Sequence, residues 1–267
     1  MRIEGQRAHP DPLVESAAMA GIRPPAPTYQ PHLSPDIVTG KTIKIRQPDG
    51  TVKERNAGLS EAGLETVVYM GQAPQHFLPP DENGVQYRRG MLCGDLTGTG
   101  KGRAIAGTIL DNWNQGRKKH VIVTQKQDLF HKQVKRDWGD LGEDPSKVVH
   151  FDDIRDNPNP PSEGVVFVTY DTLKGRDKKD PTAPSNLDKL VKWMGPHFDG
   201  VIAFDEAHTM GNALDYETGF GTSNASQAAL AGIGLQRAAP NARVGYFSAT
   251  PATEVRNLGY AERLGIW

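Results

Sequence analysis

Apolar residues in this chain fall in short unbroken runs, separated by longer stretches in which apolar and polar positions mix at helical spacing. Runs without polar alternation, such as Val121-Ile-Val123, Val165-Val-Phe-Val168 and Val201-Ile-Ala-Phe204, predict strands buried on both faces of a sheet. The pattern places strands near 90–94, 119–124, 147–151, 164–169, 200–205 and 243–248, and helices near 101–116, 126–139, 184–195 and 224–238. Such alternation predicts an α/β domain with a mostly parallel sheet and helices on both faces. Upstream, Glu61 to Met70 reads as a helix capped by Ser60. Residues 42–54 alternate around Pro48-Asp49-Gly50 and predict a small β-hairpin insertion. Residues 1–40 carry Pro24, Pro25, Pro27, Pro31 and Pro35, the composition of an extended arm over the domain or a lead-in to it. The expected division is therefore an arm with a hairpin over 1–58 and the α/β domain over 59–267.

Chemistry enters at Gly94 to Arg103, where a glycine-rich turn lies between the first strand and the next helix. That context suits a phosphate-cradling P-loop. Gly98 and Gly100 let backbone N–H groups turn toward an anion, the new helix points its positive end there, and Lys101 adds a point charge. The candidate nucleotide-binding set is Asp95, Thr97, Gly98, Thr99, Gly100, Lys101, Gly102 and Arg103. Two positions depart from the strict pattern. Asp95 stands where a glycine belongs, and Gly102 replaces the hydroxyl residue that holds Mg²⁺. A turn that binds nothing could carry the same residues, so the downstream chain decides.

Val201 to Phe204 runs into Asp205-Glu-Ala-His208, two carboxylates at a strand's C-terminal end, where open α/β sheets place ligands. An acid there, Asp205, is suited to hold Mg²⁺ against the phosphates, and the next, Glu206, to activate the attacking water. Lys101, Asp205 and Glu206 are the candidate catalytic residues, and His208 a relay beside the γ-phosphate. A third strand ends in Ser248-Ala-Thr250, whose hydroxyls are expected to hydrogen-bond the acidic cluster and couple it to neighbouring loops. Alone, an acidic turn or a Ser-Ala-Thr turn would be ordinary surface. In this order they support one another.

The three stretches resemble the first motor domain of superfamily 2 helicases and translocases, with Asp95, Gly98, Gly100 and Lys101 closest to the Snf2-like branch. More specifically, the chain resembles the strawberry notch family of helicase-like NTP hydrolases. The resemblance runs through Leu59-Ser60, Tyr69 to Gln72, Gly98 to Arg103, Gly107 to Trp113, Phe198 to Gly200, Phe204 to Asn212, Ser248 to Thr250 and Ala252 to Gly265. It implies a RecA-like P-loop NTPase fold, ATP and Mg²⁺ as cofactors, and a Gly-Lys-Gly-Arg loop as the usual form. It also implies sugar-phosphate contacts from the strand ends, at Thr124, Gln125, Lys126, Thr169 and Tyr170, although Thr124, Gln125 and Thr169 read equally as caps of the helices that follow. Family members tend to carry a glutamine just after the Leu-Ser start, where Gly63 stands here, which leaves Gln72 as a substitute for reading adenine.

Lys and Arg number 31 against 32 Asp and Glu, a net charge of −1, so no global basic field holds nucleic acid and any grip must be local. Basic clusters at 117–119 and 174–179 read equally as solvated faces. The single cysteine, Cys93, fits a reducing compartment and a buried strand end. No apolar run is long enough for a membrane span and the N-terminus lacks a secretory core, so the expectation is a soluble cytoplasmic protein, nuclear in a eukaryote, without a membrane partner. A length of 267 residues suits one motor domain rather than two. The expected function is the ATP-binding and hydrolysing first domain of a nucleic-acid-dependent motor, with DNA the favoured polymer, completed by a second RecA-like domain or a partner chain. The alternative is an ATP-binding regulatory or scaffold protein that does not process nucleic acid.

Overall fold

The unbroken apolar runs become the strands of one parallel sheet. The computed structural model describes residues 26–266 apart from 41, 47, 48, 57, 95–99, 178, 181, 219, 220, 251 and 253. In chain order the strands are β1 (Thr42–Arg46), β2 (Val52–Asn56), β3 (Met91–Cys93), β4 (Lys119–Thr124), β5 (Val148–His150), β6 (Gly164–Thr169), β7 (Val201–Asp205), β8 (Tyr216–Thr218), β9 (Gly221–Ser223) and β10 (Arg243–Phe247). The main sheet has the order β3-β10-β7-β4-β6-β5, and every pairing in it is parallel. β1 and β2 form the expected antiparallel hairpin, pairing Thr42 with Asn56. A second hairpin, β8–β9, had no alternating apolar signal to announce it.

Helices cover both faces. The longer ones are α1 (Glu61–Gln72), α2 (Lys101–Asn114), α3 (Lys135–Asp140), α4 (Asn186–Met194) and α5 (Gln227–Arg237). Side chains alternate across each strand, so one face of the sheet sends Val121, Val123, Phe204 and Tyr246 against Leu190 and Trp193 of α4 and Leu235 of α5. The other sends Ile122, Phe167, Ala203 and Phe247 against Val67 and Met70 of α1 and Ile105 and Ile109 of α2. Serines start three of these helices. Ser60 accepts from the Gly63 N–H, Ser226 accepts from that of Ala229, and Ser185 forms a reciprocal capping box with Asp188. Among the described residues no helix is long and apolar enough to cross a membrane.

The helix expected over 126–139 forms only in part. Gln125 to Asp128 stay exposed, Phe130–Val134 winds as a wider π turn, and α3 follows at Lys135–Asp140. Two aromatic anchors explain this. Phe130 packs on His150 and Phe167, each 5.3 Å between ring centroids, while Trp138 meets the edge of Trp113 at 5.7 Å. A turn with an extra residue lets both rings reach the core, and such turns recur at functional sites.

Arg263 closes the domain near the C-terminus. Its guanidinium is buried and donates to the carbonyls of Arg88 and Pro240 at 3.1 Å, of Gln236 at 2.5 Å and of Ala239 at 2.8 Å, thereby satisfying the end of α5. Burial pushes it down to about 10, still charged at neutral pH. Arg263→Ala would strand several carbonyls and is expected to lower stability by about 3 kcal/mol or more. The check is the urea midpoint at unchanged m-value, with Arg263→Lys recovering part of the loss.

Candidate nucleotide site at the strand ends

Register brings the site together. Phe247 at the end of β10 pairs with Cys93 of β3 on one side and with Asp205 of β7 on the other, so these strands finish level at one rim. From β3 the chain passes through residues 95–99 into α2. Asp95, Thr97, Gly98 and Thr99 lie outside the described residues. Gly100 caps α2 in the left-handed region, φ 90°, a conformation that favours glycine, and Lys101 is the first helical residue. Lys101, Gly102 and Arg103 face Asp205, Glu206 and His208 across an open cleft of about 650 Å³. That volume falls within the range of roughly 300–1,000 Å³ typical of ligand pockets.

Asp205 is buried and held from two sides. The Thr124 hydroxyl donates to its Oδ2 at 3.2 Å, and the Tyr170 hydroxyl donates to its backbone carbonyl at 3.0 Å. Burial, followed by the charge of Glu206, pushes its carboxyl up to about 6, against the opposing effects of the Thr124 hydroxyl and the Lys101 charge. The lysine and the acid thus sense each other within one cleft. Glu206 takes a left-handed backbone, φ 51° and ψ 49°, a conformation sparsely used by residues other than glycine and found mainly where a site demands it. Its Oε2 lies 3.3 Å from His208 Nδ1, and the same nitrogen is 2.9 Å from Ser248 Oγ.

Coupling therefore runs through the histidine. Ser248 is buried and meets His208 rather than the two acids directly, while Thr250 joins through its backbone N–H, which donates to Ser248 Oγ at 3.3 Å. Gln125 reaches the same group, donating to Thr209 Oγ1 at 2.6 Å and lying 3.4 Å from His208 Nε2. Arg103 lines the cleft, but its guanidinium donates to Asp140 at 2.9 Å and to the Gly58 carbonyl at 3.5 Å, tying α2 to its neighbours.

Three residues with a possible nucleic-acid contact sit inside the domain instead of at its surface. Thr124, Thr169 and Tyr170 are buried, and their hydroxyls are committed inward: Thr124 and Tyr170 to Asp205, Thr169 to capping the turn at Thr172. Gln125 and Lys126 are exposed at the same rim. Gln72 is corrected as a base reader, because its amide accepts from the Thr28 N–H at 2.9 Å and donates to the Ala26 carbonyl at 3.1 Å. Gly63 and Ser60 do line the cleft. A wall built by Gln133, Arg136 and Asp137 was missed altogether. Its one sequence signal was Gly102, the residue out of pattern directly opposite.

A parallel sheet with a lysine opening the helix after one strand, and an acid ending another strand across a shared cleft, defines a RecA-like P-loop NTP hydrolase domain. The family described as P-loop containing NTP hydrolase pore-1 matches residues 8–267. The chain belongs to that family, and the curated relatives it resembles include strawberry notch proteins. It is 37% identical over 264 residues to Protein FORGETTER 1 of Arabidopsis thaliana, covering 97% of this chain and 18% of that protein. It is 36% identical over 266 residues to Protein strawberry notch homolog 1 of Gallus gallus, covering 97% of this chain and 19% of the other. The chain thus spans less than a fifth of the length of either relative. Among solved structures, the UvsW helicase from Bacteriophage T4 is 12% identical with a TM-score of 0.52, covering 96% of this chain and 75% of that one, and it shares the fold.

The raised Asp205 carboxyl has a consequence for stability. Because its folded value, about 6, exceeds the ordinary 3.8, ionised Asp205 opposes folding. Its contribution is most favourable below about pH 4 and is lost as pH rises through 6. Asp205→Asn is therefore expected to raise the melting temperature of the ligand-free protein at pH 8. The gain would be at most about 3 kcal/mol and would vanish toward pH 4, as read from thermal melts across that range.

Proposed function

We propose that this chain binds ATP with Mg²⁺ in the cleft between Lys101 and Asp205, and that it serves as the first motor domain of a superfamily 2-type, nucleic-acid-dependent ATPase. What supports the reading most is that Lys101 and Asp205, 104 positions apart along the chain, converge on one cleft at the rim of one sheet. A buried carboxylate short of countercharge suits a hard cation, and the residues present fit the metal on that ground. Mg²⁺, when bound, supplies charge neutralisation on the β and γ phosphates.

The remaining work falls to the chain itself. Lys101 binds the outer phosphates as a point charge at the start of α2. Glu206, turned into the cleft by its left-handed backbone, orients the attacking water and accepts its proton. His208, between Glu206 and Ser248, holds the acid's orientation and links the phosphate end to residues 248–250. Gln125 and Lys126 offer an amide and an ammonium to the backbone of a nucleic acid, DNA in the first instance, without reading its sequence. Arginines from a second RecA-like domain complete the charge stabilisation, whichever chain carries that domain. Such a motor would act in the cytoplasm, or in the nucleus of a eukaryote.

Binding and hydrolysis separate the roles. Lys101→Ala is expected to weaken ATP affinity by roughly tenfold or more, and Glu206→Gln to leave affinity within about threefold while cutting turnover roughly 100-fold or more. Titration with a fluorescent ATP analogue and a phosphate-release assay measure the two. Turnover by this chain alone should be slow, since a missing trans arginine costs about 10³-fold or more. It should rise when DNA and a second motor domain are added. Unchanged binding in Lys101→Ala would refute the nucleotide site, and hydrolysis indifferent to nucleic acid would favour the regulatory role.

A further inference from the structure

Gly102 is the residue whose side chain would have met the metal, and the space beside it is taken. A Cβ built there would collide with Asp137 Oδ2 and lie 2.5 Å from Gln133 Nε2. Both groups come from the segment Phe130–Asp140, not from the loop or its helix. Gln133 and Asp137 stand four residues apart and so share a side of their helical segment. The π turn over Phe130–Val134 leads that side onto the start of α2.

We propose that Asp137 replaces the absent hydroxyl of position 102, its Oδ2 joining Asp205 in holding the divalent cation that accompanies the nucleotide. The inference rests on the nucleotide-site reading above and extends it to a residue outside every motif. Arg136 fixes the other carboxylate oxygen, Nε and Nη2 meeting Oδ1 at 3.0 and 2.8 Å, which leaves Oδ2 as the oxygen over Gly102. Asp137 is only 5% exposed, and both it and Asp205 line the cleft that holds Lys101. Burial pushes its carboxyl above the ordinary value despite Arg136. An apolar side chain would fill the same gap without the desolvation cost of a buried carboxylate. Among the described residues no three acidic, histidine or cysteine side chains form a complete metal cage. Mg²⁺ needs none, since it is ordinarily held by one or two carboxylates, phosphate oxygens and water.

A swap of side chains tests this. Affinity for a fluorescent, non-hydrolysable ATP analogue is measured on the full chain in EDTA and in Mg²⁺, with Mn²⁺ binding followed in parallel by electron paramagnetic resonance and folding by thermal melts. Wild type should tighten on adding Mg²⁺. Asp137→Asn and Asp137→Ala should keep the metal-free affinity within about twofold yet lose roughly tenfold or more of the metal-dependent gain and of Mn²⁺ affinity. Gly102→Ser alone should clash and lower the melting temperature. In the double variant Asp137→Ala/Gly102→Ser the hydroxyl has room, and the metal-dependent gain should return to within about threefold of wild type. Full Mg²⁺ tightening in folded Asp137→Asn would overturn the proposal. So would an equal loss of affinity with and without metal, which marks a structural role only. Those outcomes leave the nucleotide site standing if Lys101→Ala still weakens binding roughly tenfold or more, whereas a wild-type chain that binds no analogue in either condition removes both.

Discussion

Parallel pairing at the centre of the sheet is the constraint on which the rest depends. Phe247 stands level with Cys93 and Asp205, and the Ser248 N–H continues the ladder to the Cys93 carbonyl at 3.0 Å. A slip of one residue in either pairing would turn Asp205 toward the opposite face and withdraw Ser248 from His208. The pairing holds because β7 and β10 are buried on both faces, with Phe204 and Tyr246 stacked at 5.8 Å and Phe247 packed beneath α1 and α2. Core packing thus sets the height at which the lysine, the two acids and the serine meet.

That arrangement burdens the fold with charge. Asp205 and Asp137 are both buried carboxylates held above their ordinary range, and Glu206 adds a strained backbone beside them. Each group is less stable in the folded protein than an apolar replacement would be, so packing alone does not account for it. Binding of a cation in the proposed site would account for it, because it would supply the missing countercharge. Arg263 is the contrasting case, a buried charge whose four carbonyl partners satisfy it and whose task is to hold the chain's last turns against α5.

Legibility followed the range of the interactions. The parallel strands, the Ser60 cap and the placing of Lys101 and Asp205 on one cleft were readable because each depends on local pattern or on a rule of α/β topology. The π turn at Phe130–Val134 was not, since it arises from Phe130 and Trp138 competing for distant partners, Phe167 and Trp113. From its place after β6, Tyr170 read as a surface contact, and Thr169 as either a contact or a cap. Inward hydrogen bonds, to the Asp205 carbonyl and the Thr172 N–H, decided both. Gln72 was likewise claimed by residues 26–28, more than forty positions upstream.

By itself, the order of residues determined an α/β sheet, a glycine-rich turn ending in Lys101, and an acid pair closing a buried strand. These follow from spacing within ten residues or fewer, where backbone geometry leaves few alternatives. Tertiary structure alone decided which hydroxyls face inward, that His208 rather than either acid meets Ser248, and that Asp137 fills the gap at Gly102. Such contacts join side chains from separate elements, and their distances exist only once both faces of the sheet are packed.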